Sequence, residues 1–236
     1  MSDIFLSVNI NGIDMLNRYR MALKDRHCVQ PPVPKTYYQD VPGADGSLDF
    51  STVNAGRITY ERRTVTLNFG CGYPINDWPV IFSDILQKFH GQIGKLIFDD
   101  DPMYYYIGRM EVSDYNRVQS LGTFTITVQA DPYKYEITAG DEEWLWDALD
   151  FEKGVIREYG NLAVSGEYRL IVDGTKKWII PEIVVSKDMS VTFGGKEYAL
   201  TTGNNKIYDI VLKEGENLLV FKGTGTVTVR YRGAVL

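Results

Sequence analysis

The chain has 236 residues and a mass of 26.8 kDa, and its 25 basic and 31 acidic residues give a net charge of -6. Hydrophobic residues make up 44% of the sequence and charged residues 24%, which excludes a disordered, collagen-like or coiled-coil protein. The acidic balance argues against tight nonspecific nucleic-acid binding. The length favours two domains. No apolar run approaches the roughly 20 residues of a membrane helix, and residues 1–10 lack signal-peptide features, so we expect a soluble protein made in the cytoplasm.

The residue types favour β-structure. The 16 Tyr, 10 Phe and 22 Gly, with many Thr and Val, are typical of strands joined by tight turns. Cys28 and Cys71 are the only cysteines, and their separation suggests neither a metal knuckle nor a redox pair. We predict a mainly β protein with two buried thiols.

The first distinctive segment is residues 29–46, which carries four prolines. Its backbone therefore cannot complete an interior ladder of hydrogen bonds, and an extended arm or long loop is predicted. Tyr37, Tyr38 and Val41 give this arm apolar surface that something must cover. A neighbouring subunit is one candidate.

Two strands and one helix stand out next. Residues 64–69 and 121–130 alternate apolar with polar side chains, which predicts half-buried strands. Between Asp77 and Gly91 the apolar residues fall at steps of three and four and form one stripe. This spacing predicts a helix lying flat on the sheet, with the Asp77 side chain as its N-cap and Gly91 closing its end.

A domain exit is predicted after Ala130, because Pro132 cannot continue an interior strand. We predict domains at residues 1–136 and 137–236, the second a β-sandwich of short strands. Gly194 and Gly195 give the strongest hairpin signal. The strands predicted in this half are 168–172, 179–185, 189–193, 198–200, 218–221 and 226–231.

No catalytic constellation emerges from the sequence. The run Asp99–Asp101 lacks the spacing of a cation-binding loop, and a solvated turn between two strands is the favoured interpretation. His27 beside Cys28, with His90 and Cys71 as distant partners, lacks the local pairs that make a metal or nucleophile site specific. Residues 70–72 lack the Lys and Ser or Thr of a phosphate loop. We predict no catalytic, cofactor-binding or metal-binding residues.

Arg57, Arg62 and Arg63 cluster around Tyr60, a pattern that could contact phosphates. Arg62 and Arg63 would point to opposite faces of a strand, which splits the cluster. A surface or intersubunit salt bridge is the favoured interpretation.

Trp144 and Trp146 are two residues apart and would share one face of an extended segment, as a sugar-stacking platform would require. Packing in the core of the second domain is the favoured alternative. Trp178 beside Lys176 and Lys177 has the same two interpretations.

Residues 37–46 read YYQDVPGADG and are followed by Leu48 and Asp49. This run, together with several later blocks in the same order, resembles the distal tail protein family of long-tailed phages and prophages. The resemblance spans nearly the whole chain. The other blocks are residues 60–63 with the 64–69 strand, the helix ending at 89–91, 98–102, 104–109, 131–135, 181–185, 194–200, 215–221 and 226–236.

The resemblance implies an N-terminal barrel-like or sandwich-like β domain with one α-helix, which forms a hexameric ring, and a C-terminal galectin-like β-sandwich. Such a ring at the virion tail tip joins the tail tube protein to the tail-associated lysin, tail fibre or baseplate proteins. DNA would pass only through its lumen, where acidic walls would repel phosphates. We expect the intersubunit strand pairing within residues 34–69, and no cofactor or membrane contact.

A galectin site in relatives of this fold uses His, Asn and Arg with a Trp followed by Gly and Glu. Residues 137–236 contain no His and no Trp-Gly pair. We therefore expect the second domain to serve as a platform for baseplate proteins.

Two classes of function follow. The leading hypothesis is a structural hub with no reaction. The alternative is a carbohydrate-binding protein that recognises a host surface by aromatic stacking on Trp144, Trp146 or Trp178. An enzyme is not expected, because no paired nucleophile and base is evident.

Overall fold

The computed structural model describes residues 6–25, 29–53, 55–74, 76–139 and 159–236. The chain forms two compact units: unit 1 comprises Met1–Lys134 with Leu236, and unit 2 comprises Tyr135–Val235. Each unit encloses its own hydrophobic cluster. The molecule is mainly β, as predicted.

Unit 1 is built on one antiparallel sheet. Its strands are β1 Val8–Ile10, β2 Ile13–Asp14, β3 Ala22–Leu23, β6 Arg63–Gly72, β7 Ile93–Phe98, β8 Tyr104–Val118 and β9 Leu121–Ala130, in the order β2-β1-β7-β8-β9-β6-β3. Leu6, just before β1, bridges Leu23 in β3, so the sheet closes on itself and the unit is barrel-like. Two further strands, β4 Tyr38–Asp40 and β5 Ser47–Asp49, pair only with each other among the described residues.

The core of unit 1 follows the alternation predicted for β6 and β9. Their register pairs Val65 with Val128, Leu67 with Ile126 and Phe69 with Phe124, and all six side chains are buried. The two Phe rings stack with centroids 4.9 Å apart. Alternate residues of each strand therefore face one interior, which the long helix covers.

The predicted helix is present as α2, Trp78–Phe89, and buries Trp78, Ile85 and Phe89. Asp77 occupies the N-cap position, but it has helical dihedral angles and its side chain makes no capping hydrogen bond, so the predicted side-chain cap is wrong. A second, five-residue helix, α1 (Met15–Tyr19), was not predicted; the Asp14 carboxylate accepts from the Asn17 N–H at 2.9 Å and caps it. Within the described residues neither helix has the length and hydropathy of a membrane span.

Unit 2 contains a six-stranded antiparallel sheet with the order β14-β13-β16-β12-β15, and β11 pairs with β16. Its core is lined by Val172, Val191, Leu219, Phe221 and Val229, all buried. The bounds are β10 Lys134–Glu136, β11 Leu162–Gly174, β12 Glu182–Val185, β13 Met189–Phe193, β14 Lys196–Leu200, β15 Gly203–Asn205, β16 Gly215–Arg230 and β17 Ala234–Val235, and β10 pairs with β17.

The strands predicted at 218–221 and 226–231 are one continuous strand, β16. It pairs with β11 from Gly215 to Val227, while its other edge pairs first with β13 and then with β12. Gly223 lies where the partner changes, with φ of 149°, and a Cβ there would come within 2.6 Å of the Met189 Cβ. Only glycine tolerates both that dihedral angle and that approach. Gly223 therefore marks a point of close packing within one strand, not a break between the strands predicted at 218–221 and 226–231.

Two tight turns connect neighbouring strands. Gly194 and Gly195 have positive φ and join β13 to β14, which confirms the predicted hairpin. Asn11 and Gly12, also with positive φ, join β1 to β2 in the same way. The Asn-Gly dipeptide is a strong hairpin signal that the sequence analysis overlooked.

Candidate assembly surface

The predicted arm is a β-hairpin that extends from one end of the sheet of unit 1. Its two sides run antiparallel, with bridges from Val29 to Val65 and from Pro34 to Tyr60. Backbone hydrogen bonds join Lys35 N–H to Thr59 O and Glu61 N–H to Val33 O, both at 2.8 Å. The ladder thus continues past the start of β6 as far as Lys35, and the separate β4–β5 pair forms the distal part of the arm.

The distal part, residues 36–50, is amphipathic. Side chains alternate across a strand, so Tyr37, Leu48 and Phe50 share one face, with Gln39 between them. The Tyr37 and Phe50 rings pack with centroids 6.3 Å apart, yet Tyr37 is 60% exposed and Leu48 is 54% exposed. We call this surface the arm face. A contiguous apolar face left open to water is typical of an interaction site.

The opposite face of the hairpin carries Asp40 and Asp49 together with the exposed Tyr38, and Asp45 lies at the tip. Residues 36–50 contain Asp40, Asp45 and Asp49 and no Lys or Arg. The Ser51 hydroxyl and N–H donate to Asp49 and lower the pKa of that carboxyl below its ordinary value, so Asp49 is ionised at neutral pH. The arm therefore presents an apolar surface bordered by negative charge.

The arginine cluster is divided by the fold. Arg62 is exposed, whereas Arg63 is buried: its guanidinium donates to Pro132 O and lies 5.5 Å from the centre of the Tyr106 ring. Arg57 donates to the Tyr133 hydroxyl at 2.9 Å. The favoured surface or intersubunit salt bridge is therefore wrong for Arg63, because β6 begins at this residue and turns its side chain inward.

The remaining polar candidates have structural roles. Asp99–Asp101 forms the turn between β7 and β8, as predicted, where Asp99 accepts from Ser7 N–H at 3.1 Å and Asp101 pairs with Lys134 at 2.6 Å. In the part of the chain that the structure describes, no group of three His, Cys, Asp or Glu side chains is arranged to hold a metal ion.

The cysteine and histidine candidates do not form a site among the described residues. Cys71 is buried, and this burial raises the pKa of its thiol to about 11, so it is not an activated nucleophile. His90 accepts from Val112 N–H at 3.1 Å and holds the end of α2 against β8. His27 and Cys28 lie outside the described residues. Residues 70–72 belong to β6.

Of the three tryptophans considered for sugar stacking, Trp144 and Trp146 lie outside the described residues. Trp178 is partly buried, and the Lys213 ammonium lies 4.9 Å from the centre of its ring. One face of the Trp178 ring is therefore occupied by a cation within unit 2.

Leu48 and Phe50 were not predicted to belong to the apolar surface of the arm. Their signal was present, because residues 47–50 alternate polar and apolar side chains as residues 37–40 do. It was hidden because each strand of the hairpin is only three residues long, too short for periodicity alone to define a face.

Comparison with solved structures shows a likeness of fold over the whole chain. The fold is similar to that of a phage protein. The chain matches the crystal structure of SPP1 Dit (gp 19.1), described as a paradigm of the hub adsorption apparatus in phages that infect Gram-positive bacteria. The TM-score is 0.60 with 14% sequence identity, and the match covers 98% of this chain and 99% of the other. No family model and no curated protein sequence matches the chain. The likeness establishes a Dit-like fold over the full length.

Proposed function

We propose that this protein is a structural component of a phage tail tip, a distal tail protein that assembles into a ring of six copies. The ring joins the tail tube to the tail-associated lysin, fibre or baseplate proteins, and unit 2, as a galectin-like domain, carries other baseplate proteins. The protein is assembled into virions in the bacterial cytoplasm, DNA passes only through the lumen, and no reaction is catalysed.

The observation that carries the proposal is the likeness to a hub protein over 98% of this chain and 99% of the other. A likeness confined to one unit would support only a shared domain, since common β folds host unrelated functions. Here the match, at a TM-score of 0.60, runs through both units to one protein that is described as a paradigm of a hub adsorption apparatus.

The arm supports self-assembly in particular. Its apolar face lacks a partner within the described part of the chain, and β4 and β5 each leave one edge without a strand neighbour there. An exposed strand edge can pair with a strand of another copy, and an exposed apolar face can pack against it. We propose that the arm, within residues 34–69, is the surface that each copy contributes to the contact with its neighbour in the ring.

The test is the solution mass of the full chain over a hundredfold range of concentration, measured by light scattering after size-exclusion chromatography. A self-assembling ring predicts a species of six times 26.8 kDa. A mass of 26.8 kDa at every concentration would contradict self-assembly. Incubation with isolated tail tubes, followed by sedimentation, then measures attachment to the proposed partner.

A further inference from the structure

A closed ring needs two different complementary surfaces on each copy, because its contacts run head to tail. The arm face supplies one of them. The second surface has to lie elsewhere on the same chain, in a place that the arm of its own copy cannot reach.

Such a surface lies at the opposite end of β6. There the turn between β8 and β9 carries Val118 and Leu121, which face each other across the two-residue turn and are 70% and 68% exposed. The other exposed aliphatic residues of the described main body of unit 1 are single: Val80 lies on α2, Ile93 at the start of β7 and Leu236 at the last position.

Basic side chains border this apolar pair. Arg117 precedes Val118 and is exposed. Tyr73 N–H donates to Ser120 O at 2.8 Å, and the Tyr73 hydroxyl donates to Tyr19 O, which brings the end of α1 beside the turn. Arg18 and Arg20, both exposed, belong to that end of α1. We call Arg18, Arg20, Arg117, Val118 and Leu121 the turn patch.

The positions of the two surfaces exclude contact within one copy. Strand β6 has ten residues, which at about 3.3 Å each separate its ends by about 30 Å. The arm leaves from the Arg63 end, since Pro34 bridges Tyr60, and Gly72 at the other end pairs with Leu121. The exposure of the arm face also means that the arm does not fold back onto its own sheet.

We propose that the arm face of one copy docks on the turn patch of the next copy, so that Tyr37, Leu48 and Phe50 cover Val118 and Leu121. This inference rests on the proposed ring and names the receiving surface within it. The charges agree, because the acidic border of the arm meets the basic border of the patch. A head-to-tail contact requires two different surfaces on each copy, and the arm face and the turn patch, at opposite ends of β6, meet that requirement.

Complementation between two variants tests the proposal. The arm variant Leu48→Asp retains an intact turn patch, and the patch variant Leu121→Asp retains an intact arm. Each variant alone should remain at 26.8 kDa, because every contact in a ring of identical copies uses both surfaces. An equimolar mixture should form a species of twice that mass and nothing larger, since only one of the possible contacts joins two intact surfaces.

Leu218→Asp is the matched control. Leu218 is a half-exposed leucine on a strand of unit 2, so it receives the same change outside both surfaces and should assemble as wild type does. Circular dichroism and melting temperature establish that all three variants are folded, and solvent exposure of the altered side chains predicts that they are.

The outcomes separate this inference from the proposed ring. If the patch variant forms the wild-type ring while the arm variant is monomeric, the ring stands and the turn patch is not its receptor. A mixture of folded variants that stays monomeric also overturns the assignment. A wild-type chain that is monomeric at every concentration contradicts the ring itself, and the inference with it.

Discussion

Asn217 illustrates how one buried side chain holds a loop of unit 2. Its amide nitrogen donates to Val172 O, Lys213 O and Gly215 O at 2.8 to 3.2 Å, and its amide oxygen accepts from Lys213 N–H at 2.9 Å. Asn205 makes the corresponding four contacts with Ile183, Thr201 and Gly203. The segments 201–205 and 213–217 share a Gly at the third position and an Asn at the fifth, so the same clamp occurs twice.

We expect Asn217→Asp to lower the free energy of unfolding by about 1–3 kcal/mol. A carboxylate cannot donate, and it would place negative charge against three carbonyl oxygens. Urea denaturation followed by circular dichroism measures the change. Asn204→Asp is the control. Asn204 is exposed, so this variant should lose little free energy of unfolding. Equal stability of the two variants would contradict the clamp.

Arg63 provides a second test at the scale of one residue. Its neighbour Arg62 is exposed, whereas the buried Arg63 guanidinium contacts Pro132 O and the Tyr106 ring. We expect Arg63→Glu to destabilise unit 1 by about 3 kcal/mol or more, because a buried carboxylate would lie against a carbonyl oxygen without a partner. Arg62→Glu should leave the melting temperature nearly unchanged.

This pair also restricts which arginine can report on assembly. Loss of the ring in Arg63→Glu would follow from unfolding alone. A change of mass in the stable Arg62→Glu variant would instead report on an intersubunit contact. The two variants should therefore be compared by melting temperature before their masses are interpreted.

At the scale of elements, the position of α2 depends on a missing side chain in β9. The Trp78 ring lies directly over Gly122, where a Cβ would overlap the ring. Trp78 also packs against Tyr73 and Tyr115, with ring centroids 5.5 and 5.8 Å away. The first turn of α2 is thus held in a slot that only glycine leaves open.

We expect Gly122→Ala to lower the free energy of unfolding by about 1–3 kcal/mol, the usual cost of overfilling a packed site. Gly70→Ala is the matched control, because a Cβ at Gly70 would meet only the flexible Lys24 side chain, at 3.4 Å. Denaturant melts of both variants check the difference, and a shift in Trp fluorescence should accompany only Gly122→Ala. Equal losses would mean that α2 does not rely on this slot.

At the scale of the whole molecule, charge should tune assembly. The arm carries three Asp residues and no basic residue, and the turn patch carries three Arg. Raising the ionic strength from 0.1 to 1 M shortens the Debye length from about 10 Å to about 3 Å. Exposed charge pairs contribute a few tenths of a kcal/mol each. Screening of three such pairs costs about 1 kcal/mol, so the apparent dissociation constant of the ring contact should rise about fivefold.

Sedimentation at a series of NaCl concentrations measures this effect. The control is a chain with Asp40, Asp45 and Asp49 all changed to Asn, whose assembly should be weaker at low salt and nearly independent of salt. A wild-type contact that strengthens as salt is added would show that the apolar faces alone drive association.

Periodicity alone located three of the regular elements of unit 1. Steps of three and four located α2, and strict alternation located β6 and β9, because a side chain's face depends only on its neighbours along the chain. The Gly-Gly turn was likewise a local property. The order of short sequence blocks also led to the family whose fold the structure resembles.

Only the tertiary structure shows the features that depend on contacts between residues far apart in the chain. The sequence could not show that β16 passes through Gly223 unbroken, because the reason is a close approach to Met189, 34 residues earlier in the chain. Nor could it show that Arg63 is buried beside Pro132 while Arg62 is exposed. That the arm face and the turn patch lie near opposite ends of β6 is visible only from the register of β6 against β9. Burial and proximity arise from long-range pairing, and no local pattern encodes them.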